Sequence, residues 1–320
     1  MKKVAKNTFV ALAIASMALL GFCGVGLADD FPSKPIKIII PFPPGGTTDT
    51  VFRTVQPYLE KELNQTIVIV NTKGAGGAVG TQMAIDAPAD GYTIGTLQTN
   101  TMIAQAVDLG KYVDADYEPV VSIGDMPLTL AVKGDGPYKS LQDFKDAAAK
   151  EPGKIGIAMG VGTLAHFVAQ MTANELGVEV KLVNAGGGAK KKAAVLGGHV
   201  DAMIDPPPGV LGLHNAGKLR VIAVFGPERL KTMPDVPTAQ EQGVDLLAFQ
   251  TKGFFVPKDT PENVKKYIAD AMCKLNTNAE LQEKMANLSV IWSCKSGTEY
   301  EEYIQGIRDD VNSLAKQMGY

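Results

Sequence analysis

The chain has 320 residues, a length that favours two domains, each large enough to bury its own core. Apolar residues make up 45 % and charged residues 20 %, which excludes a disordered or fibrous protein. With 31 basic against 34 acidic residues the formal charge is −3, which argues against a nucleic-acid-binding protein, since such proteins carry a basic excess. Three cysteines and three histidines are too few for a zinc ribbon or a disulfide-dense small domain.

The first 28 residues show the three parts of a secretory signal peptide. Three lysines within the first six residues precede an apolar run over residues 8–21, which is short for a membrane span. Gly26 and Ala28 then supply the small residues of a cleavage site. We therefore predict cleavage after Ala28 and export from the cytoplasm. The alternatives are an uncleaved N-terminal anchor and, more weakly, a lipoprotein acylated at Cys23.

Cleavage changes the charge and the cysteine count of the working molecule. It leaves 292 residues with a formal charge of −6, because the removed segment holds three lysines and no acid. Two cysteines remain, Cys273 and Cys294. In an oxidising compartment they could form a disulfide, and in a helical region they could equally stay as free thiols. The sequence leaves both possibilities open.

The segment after residue 35 alternates short apolar runs with helical patterns. Strands are predicted at Ile36–Ile40, Ile67–Val70 and Tyr92–Leu97. A helical pattern begins at Asp49, where Pro57 is expected to kink it, and a second helix follows the second strand. This β–α–β–α–β order predicts a parallel sheet that is covered by helices.

The rest of the chain predicts a second α/β unit of similar size and a helical C-terminus. Five more short apolar runs read as strands, and helical patterns alternate with them. The predicted strands are Leu128–Val132, Ile155–Ala158, Glu179–Val183, Asp201–Ile204 and Leu219–Val224. The predicted helices are Ser140–Lys150, Leu164–Leu176, Ala189–Leu196 and Pro207–Asn215, followed by helices near 262–275, 279–286 and 298–317. The chain is therefore expected to form two α/β units.

Glycine-rich turns join several predicted strands to the helices that follow them. The first two lie at residues 44–48 and 74–78, and a third lies at 160–163. Such a turn exposes backbone N–H groups at the positive end of a helix, and glycine lets a ligand approach that backbone. The first two turns follow parallel strands and should face the same crevice. Together they favour an anion site, although either turn alone could be only a turn.

Motifs for cofactors and catalysis are missing from the sequence. The turn that begins at Gly74 lacks the third glycine of a dinucleotide fingerprint, because Val79 stands there. The acidic residue expected about 20 positions later falls near Ile94, inside an apolar strand. There is no G-x-x-x-x-G-K-[ST], G-x-S-x-G or H-E-x-x-H motif, and the histidines have no metal-ligand spacing. We predict no cofactor, no metal and no catalytic group.

Four polar positions near the predicted turns have two interpretations each. His166 follows the third turn and is either a ligand contact or a helix-surface residue. Asp205 ends a strand and either accepts a donor from a ligand or caps the next helix. Asp49 is expected to cap its own helix, since a carboxylate beside an anion site is repulsive. Lys190–Lys192 read as a solvated helix face, or as positive potential for an anion or a docking partner.

Several short motifs identify a family. Residues 41–49 read P-F-P-P-G-G-T-T-D, residues 71–80 fit N-x-x-G-A-G-G-x-x-G, and residues 87–93 read A-P-A-D-G-Y-T. Further matches lie at 165–166, 186–188, 196–201, 216–220 and 234–238. Taken together, and in order over about residues 32–318, they resemble the receptors of the tripartite tricarboxylate transporters, also called the Bug family.

The resemblance implies a periplasmic-binding-protein-like α/β fold with two lobes around a central ligand cleft. Residues 29–132 and 251–320 are expected to form a discontinuous first lobe, and residues 133–250 the second. The implied function is a monomeric periplasmic receptor, not an enzyme, that captures a small carboxylate and delivers it to the membrane permease of such a transporter. The alternatives are an extracytoplasmic carboxylate sensor for a signalling partner and a secreted carboxylate-acting enzyme.

The resemblance also implies which residues contact the ligand. The first two glycine turns resemble a pincer whose backbone amides hold one carboxylate, with a floor after the third strand. The second lobe would read the far end of the ligand. The implied contacts of the first lobe are Phe42, Gly45, Gly46, Thr47, Thr48, Gly76, Gly77, Ala78 and Thr99, and those of the second lobe are Gly162, Thr163, His166 and Asp205.

Two departures from the family pattern fall in the second lobe. Family members usually carry Tyr-Lys before the glycine triplet, where this chain has Asn184 and Ala185. Lys190–Lys192 stand where the family is usually apolar or small. Both differences lie in the part that sets ligand identity, so the sequence does not identify which carboxylate binds.

Overall fold

A computed structural model describes residues 31–320, and the predicted signal peptide therefore lies outside the described residues. Within the described range, ten strands form two separate five-stranded sheets. Helices pack against both sheets, and most of the predicted strands and helices agree with the structure within a few residues. The prediction of two α/β units is confirmed.

The first sheet has the strand order β2-β1-β3-β10-β4. The strands β1, β2 and β3 run parallel, with Ile38 beside Ile69 on one side and beside Ile94 on the other. The strand β10 returns from much later in the chain and lies antiparallel between β3 and β4. The strand bounds are β1 Ile36–Ile40, β2 Ile67–Asn71, β3 Thr93–Gln98, β4 Tyr117–Pro127 and β10 Phe249–Pro257.

The second sheet has the order β7-β6-β8-β5-β9. The strand β6 lies parallel to both β7 and β8, and β5 lies antiparallel to β8 and β9. Its buried side chains are almost all aliphatic, as expected for strands that are covered on both faces. The bounds are β5 Thr129–Lys133, β6 Gly156–Met159, β7 Lys181–Asn184, β8 Ala202–Asp205 and β9 Leu219–Val224.

The helices alternate with the strands in the order that the sequence predicts, except that the helix α3 (Thr99–Ala106) was not predicted. Ser140 caps α4, since its Oγ accepts a hydrogen bond of 3.1 Å from the Asp143 N–H. Across residues 31–320, no helix is both long and apolar enough to cross a bilayer. The bounds are α1 Thr47–Leu63, α2 Ala78–Ile85, α3 Thr99–Ala106, α4 Leu141–Lys150, α5 Leu164–Leu176, α6 Gly188–Leu196, α7 Pro207–Asn215, α8 Glu262–Lys274, α9 Ala279–Asn287 and α10 Gly297–Gln317.

The chain passes between the two sheets at a hydrogen-bonded crossing. Leu128 alone separates β4 from β5, and its N–H donates to the carbonyl of Ala248, which directly precedes β10 (2.9 Å). The Leu128 carbonyl accepts from the N–H of Phe225 (2.8 Å). The outgoing and returning segments are thus tied together at one place. The lobe division at residues 132 and 251 stays a prediction.

The last helix packs on both sheets. Tyr300 and Ile304 of α10 belong to a core cluster with Leu97 and Phe255 of the first sheet. About two and three turns after Ile304, Val311 and Ala315 join the core cluster of the second sheet. The apolar face of α10 therefore spans the two units along its length, beside the segments that cross between the sheets.

A disulfide closes the C-terminal helical region. Cys273, near the end of α8, is bonded to Cys294, which lies between α9 and α10, with their Cα atoms 5.4 Å apart. Both cysteines pack against the core cluster of the first sheet. Of the two possibilities that the sequence leaves open, the structure has the disulfide.

Loss of this disulfide is expected to lower the free energy of unfolding. The bonded residues are 21 positions apart, and cross-linking a loop of that size restricts the unfolded chain by about 3 kcal/mol. The mature protein should therefore unfold at lower urea concentration in the presence of a thiol reductant. A Cys273→Ala/Cys294→Ala variant should show the same loss and no response to reductant. A reductant-insensitive parent protein would contradict the prediction.

Candidate functional site

A cavity of about 730 Å³ lies between the two sheets. Its wall on the first side is the turn after β1 and the start of α1, with contributions from α3 and β10. Its wall on the second side is built by the turns that lead into α5, α6 and α7. These are the places where strands of both sheets give way to helices, so the cavity occupies the crevice that the strand order predicts.

Seven of the thirteen residues predicted as ligand contacts line this cavity. Five of them belong to the first glycine turn and the helix start after it, and two come from the second sheet. The structure thus brings together residues from both sides, more than 100 positions apart in sequence. They are Phe42, Gly45, Gly46, Thr47, Thr48, Thr163 and Asp205.

The second glycine turn lies behind the first and does not line the cavity. A Cβ atom on Gly77 would stand 3.1 Å from Cζ of Phe42, so the turn packs against that ring. A Cβ on Gly76 would stand 3.9 Å from the Gly162 carbonyl oxygen, so this turn and the third turn are neighbours across the two units. Gly76, Gly77 and Gly162, together with Ala78, lie outside the lining, and their part in binding stays a prediction.

Thr99 and His166 also lie outside the lining, and each has partners of its own. The Thr99 hydroxyl bonds with the Phe249 carbonyl and the Thr251 N–H, at 3.2 and 3.1 Å, and so joins α3 to β10. His166 is buried, its Nδ1 accepts a long 3.5 Å hydrogen bond from the Gly162 N–H, and its ring packs edge-on against Phe167. Burial lowers the pKa of His166, which favours a neutral imidazole at pH 7.

The carboxylate of Asp49 shapes the first glycine turn. It accepts a 2.8 Å hydrogen bond from the N–H of Gly45, whose φ of +74° suits glycine, and bonds of 2.9 Å from Arg53 Nε and Asn71 Nδ2. Burial tends to raise the pKa of Asp49, but the bonds from Arg53, Gly45 and Asn71 outweigh it and lower that pKa. Asp49 thus fixes the turn ahead of the helix and does not cap a first-turn amide of α1.

Three of the helices that start at the cavity wall bring first-turn amide groups to it. The first-turn N–H groups of a helix have no acceptor inside it, and they carry the positive end of the helix dipole. Such groups are contributed by Thr47 and Thr48 of α1, by Ala165 of α5, and by Gly188 and Ala189 of α6. The cavity therefore collects amide donors from both sheets, an arrangement that suits a bound anion.

One hydrogen bond joins the two sides directly beside the cavity. The N–H of Leu164, at the start of α5, donates to Oδ1 of Asn100 on α3, at 2.9 Å. Both residues line the cavity. The helix α7 starts there as well but contributes little, because Pro207 and Pro208 have no N–H group.

The charged side chains of the cavity lining all come from the second side. In the part of the lining that the structure describes, the charged residues are Lys191, Lys192 and Asp205. Their formal charges add up to +1, although the formal charge of the chain is −3. Lys191 is buried, with 5 % exposure, and its Nζ donates to Oδ1 of Asp205 at 2.7 Å. Lys192 Nζ donates to the Gly209 carbonyl at 3.0 Å. The prediction of a solvated face is wrong for Lys191, while Lys190 is exposed.

Sequence reasoning missed several lining residues. The triplet Gly186–Gly188 was noted only as a family match, although it is also a glycine turn between a strand and a helix. Lys191 was hidden in a run of three lysines, although it stands four residues before the buried Val195, on the same helix face. Asn100 and Gln250 carry no signal of this kind, because they reach the cavity only through the packing of α3 and β10.

Replacing Asp49 is expected to loosen the turn in a pH-dependent way. The lowered pKa means that the carboxylate stabilises the fold above its ordinary value of 3.8, and that this contribution is lost as the pH falls through the folded-state pKa. At pH 7, Asp49→Asn should lower the free energy of unfolding by about 1–3 kcal/mol. In urea titrations, the difference in the free energy of unfolding between this variant and the parent protein should become smaller toward pH 3. The control Asp86→Asn, at an exposed position, should have nearly the same free energy of unfolding as the parent protein. An equal deficit at both pH values would contradict this role.

Known proteins resemble the chain over almost its whole described length. Protein BugT of Bordetella pertussis is 30 % identical over 254 residues, which is 78 % of each chain. The solved periplasmic binding protein BugD is 27 % identical, with a TM-score of 0.73 over 90 % of this chain and 97 % of its own.

Two more distant solved structures from Rhodopseudomonas palustris share the fold. A MatC protein with bound malate is 24 % identical, with a TM-score of 0.74 over 89 % of this chain and all of its own. A protein solved with adipate is 23 % identical, with a TM-score of 0.81 over 90 % of this chain and 99 % of its own. Both share the fold of this chain, and the match to the periplasmic binding protein BugD confirms that fold as the two-lobed α/β type.

A comparison with protein-family models gives the most direct assignment of the chain to a family. The model for the tripartite tricarboxylate transporter family receptor matches residues 51–320. Members of this family and the solved neighbours are solute-binding proteins rather than enzymes, and they are periplasmic. The fold, the crevice between the sheets and this match agree, and the chain belongs to the tripartite tricarboxylate transporter receptor family, the group that includes the Bug proteins.

Proposed function

We propose that this protein captures a small carboxylate in the cavity between its two sheets and delivers it to the membrane permease of a tripartite tricarboxylate transporter. Cleavage of the predicted signal peptide would export the mature chain to the periplasm, and the family membership supports a receptor for such a permease. The ligand is a carboxylate because of the donors that the cavity offers.

The observation that carries this proposal is the convergence of three helix N-termini on one cavity. The amides of α1 face those of α5 and α6 across it. A carboxylate accepts several such bonds at once, and charge-assisted hydrogen bonds are roughly twice as strong as neutral ones. A neutral solute would gain much less from the same groups, so the cavity selects for negative charge.

The solved neighbours support the same class of ligand. The two R. palustris proteins were solved with malate and with adipate, which are both dicarboxylates of few carbons. The cavity volume of about 730 Å³ lies within the range of small-molecule sites. We therefore expect mono- and dicarboxylates of this size to fit without rearrangement of the two units.

Binding should couple the two units. The Asn100–Leu164 hydrogen bond and the approach of Gly76 to Gly162 both join the first unit to the second near the cavity. A ligand that contacts both walls adds to these contacts and favours the closed arrangement. A permease that docks on both units together would then distinguish the loaded receptor from the empty one.

A thermal-shift screen of the mature protein against small carboxylates tests the proposal. A ligand present at 100 times its dissociation constant should stabilise the folded protein by about 2.7 kcal/mol. Chromatography of each stabilising compound after incubation should recover it unchanged. Stabilisation by no carboxylate in the panel, or conversion of a stabilising one, would show that the protein does something else.

Filling the cavity wall at Gly187 should abolish ligand binding without harming the fold. Gly187 has φ −73° and ψ 170°, which any residue adopts, and an added Cβ would meet no atom within 4 Å. Gly187→Val therefore extends into the cavity mouth, and we expect its dissociation constant to rise at least about tenfold in calorimetry.

The matched control is Gly212→Val. Gly212 is exposed on α7, lies outside the cavity lining, and also has no atom within 4 Å of an added Cβ. Its valine variant should bind with the affinity of the parent protein. If both variants bind the ligand with equal affinity, Gly187 is not part of the binding site.

A further inference from the structure

A buried ion pair forms part of the cavity wall on the second side. Lys191 and Asp205 are 5 % and 7 % exposed, and Nζ of Lys191 lies 2.7 Å from Oδ1 of Asp205. The same ammonium group donates to the backbone carbonyl of Ile204. A lysine ammonium has three donors, and these two bonds leave one for a molecule in the cavity.

The position of this lysine is unfavourable for a purely structural residue. Lys191 belongs to the first turn of α6, where the helix dipole disfavours a positive charge. Burial of an ammonium group adds a desolvation penalty, which Asp205 offsets. An apolar pair of similar volume often stabilises a protein core as well as a buried ion pair does. The stability of the second sheet therefore gives no reason for a charge at this place.

The charges divide the cavity into two unlike ends. On the first side the polar lining consists of backbone amides and neutral side chains, among them Thr47, Asn100 and Gln250. On the second side stand Lys191, Lys192 and Asp205. Asp205 is the sole acid of the described lining, and its charge is compensated by Lys191 at ion-pair distance. The second end is therefore not an acidic site for a ligand ammonium group.

We infer that Lys191 binds the second carboxylate of a dicarboxylate ligand, while the amides of α1 hold the first. Asp205 positions the lysine through the ion pair of 2.7 Å. This inference rests on the proposed function and deepens it, because it names the number of carboxyl groups and the residue that selects for them. A monocarboxylate would leave the free donor of Lys191 without an anionic partner.

The first experiment uses the unmodified mature protein. Calorimetry compares linear dicarboxylates of four to six carbons with their half-amides, which replace the second carboxylate by a neutral group of the same shape. We expect the best dicarboxylate to bind at least about tenfold more tightly than its half-amide, since a hydrogen bond to a charged group is stronger than one to a neutral group. Affinities within about threefold of one another would overturn the inference.

The second experiment removes the charges. Lys191→Met alone would bury the Asp205 carboxylate without a partner, so the test variant is Lys191→Met/Asp205→Asn, in which neither charge stands alone. We expect it to lose the preference, so that the dicarboxylate and its half-amide bind with affinities within about threefold of one another. The matched control is Lys190→Met on the same helix, where the lysine is exposed, and its preference should equal that of the parent protein.

The outcomes separate the inference from the proposed function. If the parent protein binds no carboxylate, the proposed function fails. If it binds dicarboxylates and the double variant keeps the full preference over the half-amide, the receptor function stands and Lys191 has only a structural role. If the double variant does not fold, as judged from its thermal melting curve, the comparison on the parent protein decides alone.

Discussion

The site depends on backbone amides that a helix cannot satisfy by itself. Each of α1, α5 and α6 begins directly after a short turn at the end of a strand, and residues of its first turn, whose N–H groups have no acceptor inside the helix, line the cavity between the sheets. Glycine makes this arrangement possible where the chain must turn sharply, as at Gly45. The amide donors of the cavity are thus a property of the strand–turn–helix repeat rather than of any single side chain.

This arrangement resolves an electrostatic difficulty. The predicted mature chain carries a formal charge of −6, and its overall field repels an anion. Over more than a Debye length, about 8 Å in physiological salt, that repulsion is screened, whereas the amides act at contact distance inside a cavity. Asp49 adds a negative charge close to the first turn, yet its oxygens are held by Gly45, Arg53 and Asn71. Its carboxylate organises the turn from behind without facing the cavity as a free acid.

The sequence predicts those strands and helices that have a regular apolar pattern. It does not predict the elements whose structure depends on contacts with distant parts of the chain. The helix α5 and the strands β1 and β9 have the predicted bounds. Each strand is a short run of mostly apolar residues, and the helix has apolar residues at helical spacing. The strand β10 was missed, since Lys252 and Gly253 interrupt its apolar pattern while remaining fully buried within the first sheet. The strand β4 and the helix α3 were missed as well, and all three elements bring the two units together.

The same limit applies to the site. The first glycine turn was placed correctly in the cavity wall, and the second turn, with an equally clear motif, packs behind it against Phe42. A motif predicts a turn with free amides, but the neighbouring side chains decide whether those amides are open to a ligand. The surroundings of Gly76 and Gly77 are set by Phe42 and by Gly162 of the second unit, and the local sequence of the turn does not encode these contacts.

Two buried lysines have different partners for their ammonium groups. Lys252 lies in β10 with no exposed surface, and its Nζ donates to Oε1 of Gln250. Burial lowers the pKa of Lys252 to about 7, and the charge of Asp125 offsets this effect only in part. Lys191 is almost as deeply buried but has Asp205 at 2.7 Å. The two residues differ in the partner of the ammonium group, which is a side-chain amide oxygen of the same strand for Lys252 and a carboxylate at the end of β8 for Lys191.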